Sequence, residues 1–231
     1  MRIAVFGDVN SKYPILKLFF AQTKGVDAYY CVGDVVHHNS PEGARWTDSC
    51  IRLLIAHQVT CIRGNHEKSL LDILLGNHYY TPREKHNLRE VGIPKYSNLT
   101  REFLLDLKDQ KEIGDVLLAH DSALGRWNVF PKRAEFEAIR EKERRMLFFG
   151  HSHKRLYFRQ DEQCPWWMNY FRKEGFFPQF DKLYDTSNGL CIVNPGNMER
   201  SKPPFGFYEC SSYVIYDNEN QTITFKKVVN K

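Results

Sequence analysis

Short apolar runs recur along the chain, and each leads, often through a glycine, to a residue that can hold a metal or move a proton. Ile3-Ala4-Val5-Phe6-Gly7 delivers Asp8, Tyr29-Tyr30-Cys31-Val32-Gly33 delivers Asp34, and Val59 to Ile62 leads through Arg63 and Gly64 to Asn65-His66-Glu67. Val116-Leu117-Leu118-Ala119 delivers His120, Met146 to Gly150 delivers His151 and then His153, and Leu190 to Val193 ends in Asn194-Pro195-Gly196. Apolar runs of this length bounded by turn residues read as buried strands. Chemistry in an open α/β sheet sits just past the carboxyl ends of its strands. Carboxylates, an amide and imidazoles carried to successive strand ends therefore predict one convergent cluster.

Between the runs the apolar spacing changes to that of helices. Pro14 to Ala21 reads as a helix with proline in its first turn, where it is tolerated. Thr47 to His57 places Ile51, Leu54 and Ile55 at helical spacing, and Glu67 opens a third helix that Gly76-Asn77 stops. Strand alternating with helix predicts parallel pairing in the first half. Residues 76 to 100 lack a clean period and read as loop with a short helix, whereas Lys132 to Arg145 reads as a solvated helix laced with opposite charges. From 156 onward strands take over: Leu156 to Arg159, Leu190 to Val193, Tyr213 to Asp217 and Thr222 to Phe225, the last two joined by a hairpin turn at Asp217-Asn218-Glu219-Asn220.

Composition narrows the class without naming a reaction. The 231 residues suffice for one sizeable core and predict a single domain, and 26% charged with 42% hydrophobic residues is ordinary for a globular protein. A formal charge of +5 favours phosphate-bearing substrates by steering. Six cysteines without a Cys-x-x-Cys pair, mostly in or beside apolar runs, predict reduced buried thiols and no structural zinc site. No apolar run approaches the ~18 residues of a membrane span. The N-terminus opens directly into a strand without the marks of a secretory leader, which predicts a cytoplasmic protein with no membrane partner. Ten aromatics between Tyr157 and Tyr184 suggest an insertion at about 157–187, suited to a homo-oligomer contact or core packing, or to covering the substrate.

In order, the strand-end residues read Gly7-Asp8-Val9-Asn10, Gly33-Asp34, Gly64-Asn65-His66-Glu67, His120 and Gly150-His151-Ser152-His153. This resembles the calcineurin-like metallophosphoesterases, whose signature is Asp-x-His, Gly-Asp, Gly-Asn-His-[Glu/Asp], a lone His and Gly-His-x-His. The Asn194-Pro195-Gly196 turn is similar to that of the small single-domain bacterial and archaeal branch. The likeness spans residues 1 to about 200, and five blocks in order are far more specific than any one. The resemblance implies a four-layer α/β/β/α fold, with two mixed sheets packed as a sandwich and helices outside.

It also implies a dinuclear metal site. Two cations lower the pKa of a bound water and take up charge on the phosphoryl oxygens of an ester. A mixed oxygen and nitrogen donor set suits manganese first, with iron, zinc or nickel as alternatives. By resemblance, Asp34 bridges both ions, Asp8, Asn10 and His153 complete the first site, and Asn65, His120 and His151 complete the second. His66 binds no metal in this scheme and acts as general acid toward the leaving alkoxide. His37 and His38, following Asp34, and Arg126 are candidate substrate contacts; Lys154 and Arg155 lie near the same motifs.

Asn10 departs from the signature. A neutral amide oxygen is a weaker donor for borderline metals than imidazole. That predicts a weaker first site, ahead of a changed metal preference or a one-metal enzyme. If so, Asn10→His should tighten metal binding in titrations of stripped protein. Val36-His37-His38-Asn39 also lacks the Asp-Arg-Gly of the protein-phosphatase and dinucleotide-polyphosphatase branches. The leading expectation is thus metal-dependent hydrolysis of a small or nucleotide-like phosphodiester or phosphomonoester. A nuclease ranks lower because no long Lys/Arg stripe appears. A non-catalytic scaffold of the same fold has only Asn10 in its favour.

Overall fold

The computed structural model describes residues 1–37, 41–77, 96–120, 145–160, 178–187, 189–198 and 211–229. The first unit runs β1 (Arg2–Phe6), α1 (Tyr13–Gln22), β2 (Ala28–Cys31), α2 (Pro41–Ala56), β3 (Thr60–Cys61), α3 (Asn65–Leu74) and α4 (Asn98–Asp106). It continues with β4 (Gln110–Ile113), β5 (Val116–Ala119), β6 (Met146–Phe148), β7 (Arg155–Gln160), β8 (Leu183–Asp185), β9 (Leu190–Pro195), β10 (Ser212–Asp217) and β11 (Thr222–Lys227).

Two mixed sheets result. One has the order β3-β2-β1-β10-β11-β8 and the other β4-β5-β6-β9-β7. The strand–helix rhythm of the first half gives parallel pairing of β1 with β2 and of β2 with β3, and β5, β6 and β9 are parallel in the second sheet. The hairpin β10–β11 then pairs antiparallel to β1.

Strand periodicity of two sorts the core into layers. Ile3 and Val5 of β1 face the second sheet, packing with Val116, Leu118, Met146, Phe148 and Val193. Ala4 and Phe6 face the other way, onto Leu16, Phe19 and Phe20 of α1, Ile51 and Leu54 of α2, Leu70 of α3 and Leu104 of α4. Phe6 lies 4.5 Å, centroid to centroid, from Phe19 and meets Phe20 edge-on, which fixes α1 against β1. Because one sheet is packed face to face on the other, the carboxyl ends of β1, β2, β5 and β6 open at one edge.

Several boundaries differ from expectation. α2 begins at Pro41, six residues before Thr47, with proline in the first turn. Asn65 and His66 lie inside the first turn of α3, whose helix was expected from Glu67. α4 begins at a Ser97 cap that accepts the Thr100 N–H, inside and beyond the tract read as loop. β4 is an exposed edge strand joined to β5 through Gly114 at φ 59°. At the ends of the aromatic tract, Tyr157 pairs in register with Val193, and Tyr184 packs 6.0 Å edge-on to Phe225 between the sheets. Residues 161–177, the middle of that tract, lie outside the described residues, as do 132–144 of the expected charged helix. Cys31, Cys50, Cys61 and Cys191 are in no disulfide among the described residues, and three of them are buried. Among the described residues no helix is long and apolar enough to cross a membrane.

Candidate metal centre

The strand ends meet because their loops are hydrogen-bonded side by side. Asp8 N–H donates to Gly33 O (3.0 Å), Asn10 N–H to Asp34 O (2.9 Å) and Ser11 N–H to Val35 O (2.7 Å), so the loop after β1 runs along the loop after β2. Gly150 N–H donates to His120 O at 3.4 Å, tying the ends of β5 and β6. Asp8, Asn10, Asp34, His151 and His153 all sit at left-handed φ, between 49° and 65°. Asp, Asn and His are the side chains that tolerate this region best, and it costs of order 1–3 kcal/mol per residue. Five strained residues converging on one spot mark a site that the surrounding structure over-determines.

Two glycines are required by close approach. A Cβ on Gly64 would stand 2.2 Å from Asp34 Oδ1 and 2.4 Å from Asp34 N. On Gly150 it would stand 2.9 Å from His120 Nδ1 and 3.1 Å from Asp8 Oδ2.

Asp34 occupies the middle, 1% exposed. Its Oδ1 accepts the His66 backbone N–H at 2.9 Å, and its Oδ2 lies 3.3 Å from His120 Nε2 and 3.8 Å from His66 Nε2. Burial opposes the Asp34 charge, but the neighbouring His120 charge and hydrogen bond, with help from His66, outweigh it and hold the carboxyl down at about 2. Burial likewise opposes charge on His120, and Asp34 outweighs it, raising the imidazole to about 10. His120 Nδ1–H donates to Val32 O at 2.6 Å, which aims Nε2 at Asp34 and at Asn65 Oδ1, 3.1 Å away. Asn65 Oδ1 also lies 2.8 Å from His151 Nδ1, and the two imidazoles stand 5.3 Å apart at 80°. Asp8 Oδ1 accepts the His151 N–H at 3.2 Å and lies 3.4 Å from His153 Nε2.

Ligand-type atoms of Asp34, His120 and His151 all lie within 4.8 Å of one another, and so do those of Asp8, Asp34 and His153. Asp34 belongs to both groups. The residues fit divalent cations on the structure's own terms: the donors are carboxylates, amide oxygens and imidazoles. One imidazole has its far nitrogen pinned to a carbonyl, as metal-ligating histidines do. Among the described residues, Asp8 Oδ2 and Asn10 Oδ1 are enclosed acceptors with no hydrogen-bond partner.

The predicted site residues therefore sort as follows. Asp8, Asn10, Asp34, Asn65, His120, His151 and His153 converge. His66 lies in neither ligand group, beside Asp34, and its ring is 5.0 Å from that of His37. His37 is half-buried, and its N–H donates to Ser11 Oγ (2.8 Å), which pairs with Thr47 Oγ1 (3.0 Å). His38 and Arg126 lie outside the described residues. Arg155 donates to Pro178 O at 2.9 Å and lies 3.8 Å over the ring of Phe180, which bridges to Phe225 of β11.

Three supporting residues had no assigned role. Glu67, fully buried, accepts the N–H groups of Asp34 (2.8 Å), Val36 (2.9 Å) and Gly64 (2.8 Å), stitching the β2 and β3 loops together. Its burial and the Asp34 charge push its carboxyl up to about 7 against the Val36 and Gly64 bonds and the His120 charge. Asn194 donates to Gly150 O (2.8 Å) and Ser152 Oγ (3.0 Å), holding the His151–His153 loop. Ser11 seats His37 through its side chain. Asn194 and Glu67 were visible as polar residues in strand-end motifs; Ser11 carried no such signal.

Residues 1–221 match the family model described as the calcineurin-like phosphoesterase superfamily domain. No curated protein matches the chain. Among solved structures, a metallophosphoesterase from Sphaerobacter thermophilus is similar at 22% identity and a TM-score of 0.73, over 100% of this chain and 90% of that one. A protein serine/threonine phosphatase from Saccharomyces cerevisiae is similar at 11% identity and a TM-score of 0.52, over 100% of this chain and 81% of that one. At such identities these two likenesses concern the fold.

Proposed function

This chain belongs to the calcineurin-like phosphoesterase superfamily, and from that membership we infer that it is a metal-dependent hydrolase of small or nucleotide-like phosphate esters. The observation that carries the reading is Asp34, a buried carboxylate shared by two ligand groups whose atoms lie within 4.8 Å. Asp8, Asn10, Asp34 and His153 would hold one divalent cation, manganese foremost, and Asp34, Asn65, His120 and His151 a second. When bound, such a pair supplies positive charge to the phosphoryl oxygens and lowers the pKa of a nucleophilic water.

The chain's own residues do the rest. Asp34 holds the His66 backbone through Oδ1, which places that imidazole at the rim of the centre, 21% exposed and open to substrate. There His66 is the general acid: its proton passes to the leaving-group oxygen as the phosphorus–oxygen bond breaks. Glu67 fixes the two loops that carry Asp34 and His66, so that their spacing is set before substrate arrives. His37, beside His66, faces the same rim and is a substrate contact in this reading.

The test is hydrolysis of a bis-aryl against a mono-aryl phosphate by protein stripped of metal and resupplied with manganese. Metal-dependent turnover is expected, and the preferred ester identifies the substrate class. No turnover with either ester across manganese, nickel, iron and zinc would reject hydrolysis in favour of a scaffold role.

A further inference from the structure

Asn10 stands where the family signature has a histidine, and it is 4% exposed on a left-handed turn of φ 49°. Its Nδ2 approaches the Asp8 carbonyl at 3.5 Å, long for a hydrogen bond. Its Oδ1 is enclosed and accepts no hydrogen bond. Two residues back, Asp8 is fully buried, and its Oδ2 accepts none either. The turn after β9 closes on the same loop. Met198 N–H donates to Asp8 O at 3.3 Å. A buried acceptor left without a donor is destabilising, more so for a charged group. Two of them on one loop, Asp8 Oδ2 and Asn10 Oδ1, are costly unless a cation takes them up.

We propose that the Asp8–Asn10 side of the centre is an oxygen-rich position that selects a hard divalent cation, magnesium or manganese, over zinc, so that the protein binds two chemically different metals. The inference deepens the hydrolase reading and rests on it. On this side the donors are oxygens of Asp8, Asn10 and Asp34, with His153 the one imidazole. On the other side two imidazoles, His120 and His151, join the oxygens of Asp34 and Asn65. Carboxylate and amide oxygens suit magnesium and manganese, whereas imidazole suits zinc, iron and nickel. A histidine at position 10 would give both sides two nitrogens and equal preferences. Asparagine removes one nitrogen and adds a neutral oxygen, so the two sides diverge.

The experiment equilibrates metal-stripped protein with enough zinc to fill both positions and a larger excess of manganese, then measures metal content per chain by mass spectrometry and manganese by electron paramagnetic resonance. The wild type is expected to hold one zinc and one manganese. Asn10→His is expected to replace that manganese by a second zinc per chain, with its melting temperature measured to establish that it is folded. Asn10→Asp, oxygen for oxygen, is expected to keep the manganese. The inference is overturned if the wild type fills both positions with zinc under the same competition. It is equally overturned if folded Asn10→His leaves the ratio unchanged, or if Asn10→Asp loses manganese to zinc. Binding of no metal at all would overturn the hydrolase reading as well, which separates the two failures.

Discussion

The two halves of the centre are built differently. On the side of Asn65, His120 and His151, the chain organises the donors by itself: His120 is pinned to Val32 O, and one amide oxygen, Asn65 Oδ1, lies within 3.1 Å of both imidazoles. On the side of Asp8 and Asn10, two enclosed oxygens accept nothing among the described residues. One half is preorganised by hydrogen bonds, while the other holds desolvated acceptors that a cation would satisfy. Asp34 is the hinge between them, and this ordering predicts how unequally the centre can be damaged.

The largest effect belongs to Asp34→Asn, which removes a charge from both halves. Turnover should fall to background, with neither metal equivalent retained on gel filtration; retention of both would contradict a shared ligand. His66→Ala should leave metal content unchanged and lower kcat by about 10²- to 10⁴-fold, the usual worth of a general acid. An equal loss of metal would recast His66 as a ligand. Glu67→Gln touches neither ligand group, yet it weakens the stitching of the Asp34 loop. A loss of about 10- to 100-fold in metal affinity is expected, measured by calorimetric titration. Affinity equal to wild type would confine Glu67 to the fold.

The smallest effect is on pH dependence, and it isolates the preorganised half. In metal-free protein Asp34 lies below and His120 above the ordinary range, at about 2 and about 10. Their pairing therefore stabilises the fold fully between the unfolded values of about 3.9 and 6.5. The aspartate share is lost as pH falls through the folded value, and the histidine share as pH rises through its own. A bound cation takes the place of the His120 proton, so metal uptake near neutrality should release protons and tighten as pH rises. Titrations in buffers of differing ionisation heat measure that release; uptake without it would mean that His120 is already neutral.

Much of this was legible in the sequence, because apolar runs ending on ligand-type residues encode both the strands and the edge at which they meet. β5 and β6 were plain in Val116 to Ala119 and Met146 to Phe148 for that reason. β4 was not: Gln110-Lys111-Glu112-Ile113 is an exposed edge strand with no buried face to impose alternation. α2 was read six residues short, since its opening residues, Pro41-Glu42-Gly43-Ala44, look like loop. The ligand-type residues announced themselves by type and place, whereas the residues that hold them did not. Glu67 works through backbone N–H groups about 30 residues away, and Ser11 acts on His37 across a loop pairing, neither of which leaves a local pattern.

Anomalous diffraction from crystals soaked in manganese bears most directly on the shared role of Asp34. Two manganese peaks are expected flanking that carboxylate, about 3.5–4 Å apart, the one beside Asp8 and Asn10, the other beside His120 and His151. One peak alone, or peaks that do not touch Asp34, would contradict that shared role.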